Sequence, residues 1–404
     1  MKIGVIIDNE LNNDIRVLRE IRILREQNLE IFVLCFGFKK TYKIPISQIS
    51  IKRIYIPGKL RDILFFILNT IPLYEWMWAY KIKKFIASNK IDVLYVHDLY
   101  MAQAAHSGRQ KSDKDIPLIL DLHENYPFTV TTYNWTKGFF RNLIAKPDKW
   151  QRKEEKYLDY ADGIIVLSND YRDLLKSRYS KLSEKPFLVL PNVPDLSQLG
   201  QQIKKQVENP FKNNYPILFY YGVIAERRGV FDTFEVFINL VTKDYPVNFL
   251  LIGPVDKKDK LRFSKMLSIE ILKNRVHYIP WIDSNELPDY LDICDICLAP
   301  FHKNPQHESG IANKIFEYML GAKPLVVSNC APQQNLIEKH NCGVVFKNIT
   351  EFEDSIIKLL KDESLRKEMG KNGYAAVMKE YHSEIVKEEF FYYINHLSLS
   401  RSIN

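Results

Sequence analysis

No stretch of this 404-residue chain approaches the ~20 uninterrupted apolar residues of a membrane-spanning helix. The opening Met-Lys-Ile-Gly-Val-Ile-Ile-Asp is too short an apolar run for a signal peptide and reads as a buried first strand. Both absences lead to the expectation of a cytoplasmic protein. Cysteine is scarce: five residues, at 35, 294, 297, 330 and 342, an odd number that suits a reducing compartment better than a disulfide framework. Cys294 and Cys297 form a Cys-x-x-Cys, but no second pair or thioredoxin-like context accompanies it, so both read as buried structural thiols. Helix-turn-helix, zinc-finger and RNA-binding signatures are missing, which leaves nucleic acid without support as a partner. Acidic pairs of metal-binding spacing are equally scarce. The one Asp-x-Asp, Asp113 and Asp115, lies in a polar turn entering a strand from its amino end, so no catalytic metal is expected.

What is present has the balance of a globular protein. Hydrophobic residues make up 46% and charged residues 26%, in a chain long enough for two domains of about 200 residues. The 57 Lys and Arg exceed the 49 Asp and Glu, and the net charge of +8 favours anionic partners such as nucleotide diphosphates or lipid headgroups. Short apolar runs alternate with longer amphipathic stretches throughout, the pattern of parallel strands crossed by helices. Strands are expected near 2–7, 31–36, 51–55, 93–96, 117–121, 163–167 and 187–190. A second series follows at 217–221, 247–252, 276–279, 293–299, 325–328 and 343–346. Between the two, a polar stretch rich in Gln, Lys and Asn, residues 195–214, is the candidate linker.

Residues 296 to 329 are the most informative. An apolar run ends at Pro300, a polar loop carries Glu308 and Gly310, and a helical pattern from about Asn313 presents Glu317 before Gly321 and Pro324 stop it. A second apolar run follows at once. In doubly wound sheets ligands sit outside the carboxyl ends of the strands, where a free helix N-terminus attracts phosphate. Other distinctive polar residues fall at equivalent points: His97 and Asp98 after Val-Leu-Tyr-Val, and Asp121, His123 and Glu124 after Pro-Leu-Ile-Leu. His106, His277, His340, His382 and His396 have no such placement and read as structural.

The segment Glu317-Tyr-Met-Leu-Gly-Ala-Lys-Pro-Leu-Val-Val resembles the donor-binding signature of retaining, nucleotide-sugar-dependent glycosyltransferases with two Rossmann-like domains, the family-four type. Asp121-Leu-His-Glu124 and Asp14-Ile-Arg-Val-Leu-Arg-Glu20 resemble two further stretches of that family. The resemblance implies an α/β fold of two Rossmann-like domains facing across a cleft (GT-B), at 1–194 and 195–381, with a C-terminal helix in 382–404 crossing back to the first. It implies transfer of a sugar from a nucleotide diphosphate sugar to a saccharide or lipid-linked acceptor, with no cofactor. It also implies a donor site of Gly222, Arg228, Gly310, Ile311, Lys314 and Glu317, catalytic roles for His123, Glu308, Arg228 and Lys314, and an acceptor side of Asn13, Asp14, His97, Asp98 and Glu124.

The match has departures. The family's first acid, eight residues before Glu317, is here Ser309; Glu308 lies one residue further out, so either the loop is longer by one or that acid is missing. A glycine pair common in the first loop is replaced by Asn12 and Asn13. Val223 stands where an Arg is frequent, with Arg228 in place of a later Lys. The displaced Glu308 and the absent glycine pair motivate one alternative, a nucleotide-sugar-binding subunit without catalysis; a second, a nucleotide-sugar epimerase of the same shape, is opposed by Asn313-Lys-Ile-Phe-Glu-Tyr-Met. Finally, residues 137–156 interleave Phe139, Phe140, Leu143, Ile144 and Trp150 with Lys137, Arg141, Lys146, Lys149, Arg152 and Lys153, and residues 59–84 are likewise basic and aromatic. Such mixtures suit peripheral contact with an anionic membrane; a helix packed on its own domain is the alternative.

Overall fold

The computed structural model describes residues 1–38, 46–57, 60, 63, 72–130, 147–196 and 207–400. The chain divides into two compact units, Met1–Pro191 with Lys387–Asn404, and Asn192–Val386. The first is built on seven strands: β1 Lys2–Ile6, β2 Glu30–Gly37, β3 Ser50–Tyr55, β4 Val93–His97, β5 Leu118–Asp121, β6 Gly163–Val166 and β7 Phe187–Val189. They pair in the order β3-β2-β1-β4-β5-β6-β7, every neighbour parallel. Parallel pairing forces each connection over a face of the sheet, so both faces are covered and strands such as Val93–His97 are buried throughout. The core is rich in aromatic rings. Phe36 meets Trp78 edge-on at 4.9 Å and Tyr126 meets Trp150 at 4.6 Å.

The second unit repeats the scheme with six parallel strands: β8 Ile217–Tyr221, β9 Asn248–Ile252, β10 Val276–Ile279, β11 Ile296–Ala299, β12 Leu325–Ser328 and β13 Gly343–Phe346. Their order is β10-β9-β8-β11-β12-β13. The step from β8 across to β11 reverses the direction of winding, and at such a switch the loops after the two strands part to form a crevice. β11 starts three residues later than its apolar run. Ile293 ends the short helix Leu287–Asp292, and Asp295 turns its carboxylate to accept the Ile217 amide at 2.8 Å. All five cysteines are free and buried.

The last helix, Ser383–Ser400, begins in the second unit and packs on the first from Lys387 onward. Lys387 pairs with Glu26, Phe390 lies 5.7 Å from Tyr95, and the Tyr393 hydroxyl is 2.9 Å from the Pro186 carbonyl. Gly163 makes this possible, since a Cβ there would stand 2.3 Å from Leu397 Cδ1 and 2.4 Å from Tyr393 Oη. Gly163→Ala is therefore expected to lower the unfolding free energy by about 1–3 kcal/mol by displacing the helix. Urea denaturation measures this, and an unchanged midpoint would show that the helix does not depend on the contact.

Candidate active site

In the second unit the chain leaves β8 at Tyr221 and turns through Gly222 at φ +125°. It then passes Arg228 and enters helix Val230–Thr242 at Gly229, whose φ is +69°. Only glycine fits there: a Cβ on Gly229 would lie 1.7 Å from the Pro300 carbonyl oxygen, so the helix start sits directly against the end of β11. From the opposite side comes helix Asn313–Leu320. The Tyr318 hydroxyl accepts the Tyr221 amide at 2.8 Å and pins this helix to the end of β8. Lys314, one turn earlier, thereby reaches under the Gly222 turn, where an added Cβ would be 3.6 Å from its Nζ.

Lys314 is buried, and Arg228 beside it is half-buried with its Nε out of contact with water. Lys314 Nζ lies 3.6 Å from the Tyr220 ring centroid and 5.0 Å from that of Phe301; the Arg228 guanidinium stands 5.6 Å from the same Phe301. Neither Lys314 Nζ nor Arg228 Nε has a hydrogen-bond partner. Ring faces attract cations but supply no counter-charge. Burial, reinforced by Arg228, accordingly holds the Lys314 ammonium well below its usual range, and burial also lowers Arg228. Buried polar atoms are nearly always paired, so two orphans in one place mark a seat for an anion. Glu317 lies one turn beyond Lys314, and burial pushes its carboxyl up to about 7 against the pull of Lys314.

The loop between β11 and this helix divides its polar side chains among different tasks. Glu308 accepts the Ala331 amide at 2.9 Å, stabilising the start of helix Ala331–His340, with its second oxygen 3.8 Å from Lys303. Ser309 is buried and its hydroxyl donates to the Gln306 carbonyl at 2.7 Å. His307 lies tilted against Phe301 at 4.7 Å with Nδ1 2.8 Å from the His302 carbonyl, and burial pushes its imidazole down to about 4. Gly310 and Ile311 lead, half-buried, to Ala312, which offers no side-chain cap to the helix N-terminus. Gly222, Arg228, Lys314 and Glu317 thus converge. The sequence reading did not single out Tyr220, Phe301 or His307, and the signal for Phe301 was its place directly after the strand-ending Pro300.

In the first unit the candidates cluster at the ends of β4 and β5. Asp121 is fully buried and accepts from Arg16 at 2.9 Å and from the Tyr95 hydroxyl at 2.8 Å, while Tyr95 also reaches Glu20 at 2.8 Å. Burial alone would raise Asp121, but Arg16 and His123 hold it well below the carboxylate range. Above it His97 Nδ1 and His123 Nε2 share a hydrogen bond of 2.9 Å. Burial opposes charge on His123, yet Asp98 and Asp121 push it up to about 9, so at neutral pH it is an imidazolium that donates. Burial pushes Asp98 up to about 6, and its backbone takes an unusual φ of +72°. Glu124 is half-buried in the same turn. Asn13 and Asp14 differ in role. Asn13 is exposed, and Asp14 caps helix Ile15–Glu26 by accepting the Val17 amide at 3.1 Å.

Two groups among the described residues have the make-up of metal ligands: His97 with Asp121 and His123, and Glu226 with Asp232 and His302. In the first, Asp121 already accepts from Arg16 and Tyr95. In the second, His302 Nε2 lies 2.9 Å from Asp232 and Glu226 pairs with Arg262.

The Glu317 carboxyl yields a pH prediction. If it accepts ribose hydroxyls, affinity for an uncharged nucleoside rises with pH through about 7 as the carboxylate forms. Glu317→Gln should flatten this dependence and lose about 1.5–3 kcal/mol of affinity at pH 8. Calorimetry with the nucleoside reads both, and equal pH profiles for the two proteins would contradict the assignment.

Comparison with known proteins identifies the family and the fold. The family model "Glycosyltransferase Family 4" matches residues 15–198, and "Glycosyl transferases group 1" matches residues 201–376. The capsular polysaccharide biosynthesis glycosyltransferase CapM of Staphylococcus aureus is 24% identical over 206 residues, 48% of either chain, so this match spans about half the length of that relative. The uncharacterized glycosyltransferase YqgM of Bacillus subtilis is 21% identical over 75% of this chain and 77% of its own. Among solved structures, sucrose-phosphate synthase from Thermosynechococcus elongatus superposes with a TM-score of 0.74 at 16% identity, covering 99% of this chain and 100% of that one. Anabaena HepE in complex with UDP gives 0.69 at 14% identity, covering 98% and 100%. These likenesses establish the fold. With both halves matched by glycosyltransferase models and both sheets wound as described, the chain belongs to the family-four-type glycosyltransferases of GT-B fold.

Proposed function

We propose that this protein moves a sugar, with retention of configuration, from a nucleotide diphosphate sugar to a hydroxyl of a saccharide or lipid-linked saccharide, in the synthesis of a cell-surface polysaccharide or glycoconjugate. The observation that carries the reading is the buried Lys314 ammonium and the half-buried Arg228 gathered on Phe301, with neither Lys314 Nζ nor Arg228 Nε hydrogen-bonded. A diphosphate supplies the missing charge, and arginine can hold it bidentately. Glu317 on the same helix then takes the ribose hydroxyls. The name of CapM, which concerns capsular polysaccharide, and the UDP bound to HepE support the choice of product and donor class.

In this scheme the bond from the anomeric carbon to the diphosphate breaks with its electron pair passing to oxygen. Lys314 and Arg228 neutralise the charge that develops there, in surroundings of low dielectric where such contacts are strongest. The acceptor hydroxyl bonds to the same face of the anomeric carbon, and its proton goes to the departing phosphate oxygen, the nearest strengthening base. His123, an imidazolium at neutral pH, serves as a hydrogen-bond donor to sugar or phosphate, with His97, Asp98 and Glu124 completing the acceptor side. Leaving-group charge is handled by side chains, so no metal takes part. Glu308 acts here through the helix it caps, and its commitment to Ala331 keeps open the reading of a subunit that binds donor without transferring it.

Lys314→Ala and Arg228→Ala should each weaken a nucleoside diphosphate by about tenfold or more, as expected for losing a charge-assisted hydrogen bond, and leave the free nucleoside unaffected. Calorimetry separates the two, and equal losses would contradict the diphosphate role. Turnover, once a donor is found by thermal shift with a panel of nucleotide sugars, should persist in excess EDTA. Activity lost to EDTA and restored by magnesium or manganese would overturn the metal-free scheme, and donor binding with neither transfer nor hydrolysis would favour the binding subunit.

A further inference from the structure

We propose that helix Leu73–Asn89 is a membrane-contacting element that rests on an anionic lipid bilayer. Its inward face, Tyr74, Trp78, Ile82, Phe85 and Ile86, belongs to the core of the first unit. Its outward face carries a second apolar stripe. Leu73 is 53%, Trp76 61% and Tyr80 54% exposed, and their spacing of three and four residues puts them on one side of the helix. Lys84 extends the stripe, its Nζ 4.5 Å from the Tyr80 ring, with Lys83 exposed beside it. A large aromatic left in water next to lysines is the composition of an interfacial helix, with rings at headgroup level and ammonium groups meeting lipid phosphates.

Charge decides the kind of lipid. The helix has three lysines, at 81, 83 and 84, and one acid. That acid, Glu75, is occupied, accepting from the Tyr157 hydroxyl at 3.0 Å. Tyr157 lies on helix Pro147–Asp159, which exposes Lys149, Arg152 and Lys156 but also Glu155 and Asp159, so the excess of cations belongs to helix Leu73–Asn89. The surface therefore offers several cations around an apolar stripe, complementary to a negatively charged leaflet. Nucleic acid matches the charge but has no apolar surface to receive Leu73.

Of the two stretches expected from the sequence, the exposed rings fall in 59–84, of which 59, 61, 62 and 64–71 lie outside the described residues, and not in the described part of 137–156. Trp150, expected among lipid-facing residues, is 1% exposed and packed on Tyr126, with Lys153 covering its ring at 4.5 Å. Residues 131–146 lie outside the described residues. Helix Leu73–Asn89 thus supplies both the exposed rings and the excess of lysines. The inference rests on the proposed transfer only for its purpose, a lipid-linked acceptor held close to the enzyme; lipid binding itself does not require it.

Flotation of the full chain with vesicles tests this independently of any nucleotide sugar. Vesicles of phosphatidylcholine with phosphatidylglycerol should carry the wild type upward at low salt, and pure phosphatidylcholine or high salt should not. Trp76→Ala combined with Tyr80→Ala, and separately Lys83→Glu combined with Lys84→Glu, should each cut partitioning about tenfold or more, with thermal stability and nucleoside diphosphate affinity unchanged. Absence of flotation at low salt, flotation indifferent to both variants, or binding to single-stranded DNA with none to vesicles would each overturn the proposal. Loss of nucleotide binding in the wild type, with flotation intact, would instead count against the transfer reading alone.

Discussion

Leaving a charged side chain in the interior without a partner costs several kcal/mol, and a folded chain tolerates it only where something outside the chain completes the arrangement. Lys314 and Arg228 impose that condition on the second unit. The Gly229 backbone pressed against Pro300, the Tyr318 hydroxyl holding the end of β8, and the rings of Tyr220 and Phe301 all fix the two side chains in place while leaving Lys314 Nζ and Arg228 Nε without a hydrogen-bond acceptor. A site arranged this way pays for binding in advance. Its cations need little further desolvation when a diphosphate arrives, and an entering negative charge counters the burial that depresses Lys314.

The first unit solves the same electrostatic problem internally. Arg16 and Asp121 neutralise one another below the carboxyl edge of the sheet, with Tyr95 and Glu20 completing the network. Asp121 therefore stays ionised and, together with Asp98, keeps His123 charged. The family stretches beginning at Asp14 and at Asp121 meet here through Arg16, by which the early helix supports the histidine pair.

Much of this was legible from residue order because parallel strands buried on both faces read as apolar runs. Ile217–Tyr221, Val276–Ile279, Leu325–Ser328 and Gly343–Phe346 have the expected limits, and the helix from Asn313 ends at Leu320 just before Gly321. Contacts between distant residues were less legible. Arg16 and Asp121 are 105 residues apart, and nothing local distinguishes a buried Arg from a solvated one on an amphipathic helix. Glu308 likewise lay near the family's first-acid position, yet its carboxylate is claimed by an amide 23 residues onward. Trp150 and Trp76 sit in similarly basic sequence, and only the presence of Tyr126 against one of them makes it core.

The central claim is that Lys314 and Arg228 form the seat of a diphosphate. A crystal structure of the protein with a bound nucleoside diphosphate tests it most directly. The account predicts phosphate oxygens within hydrogen-bond distance of Lys314 Nζ and the Arg228 guanidinium, with the ribose hydroxyls on Glu317. A diphosphate bound elsewhere, with both cations still unpartnered on Phe301, would contradict it.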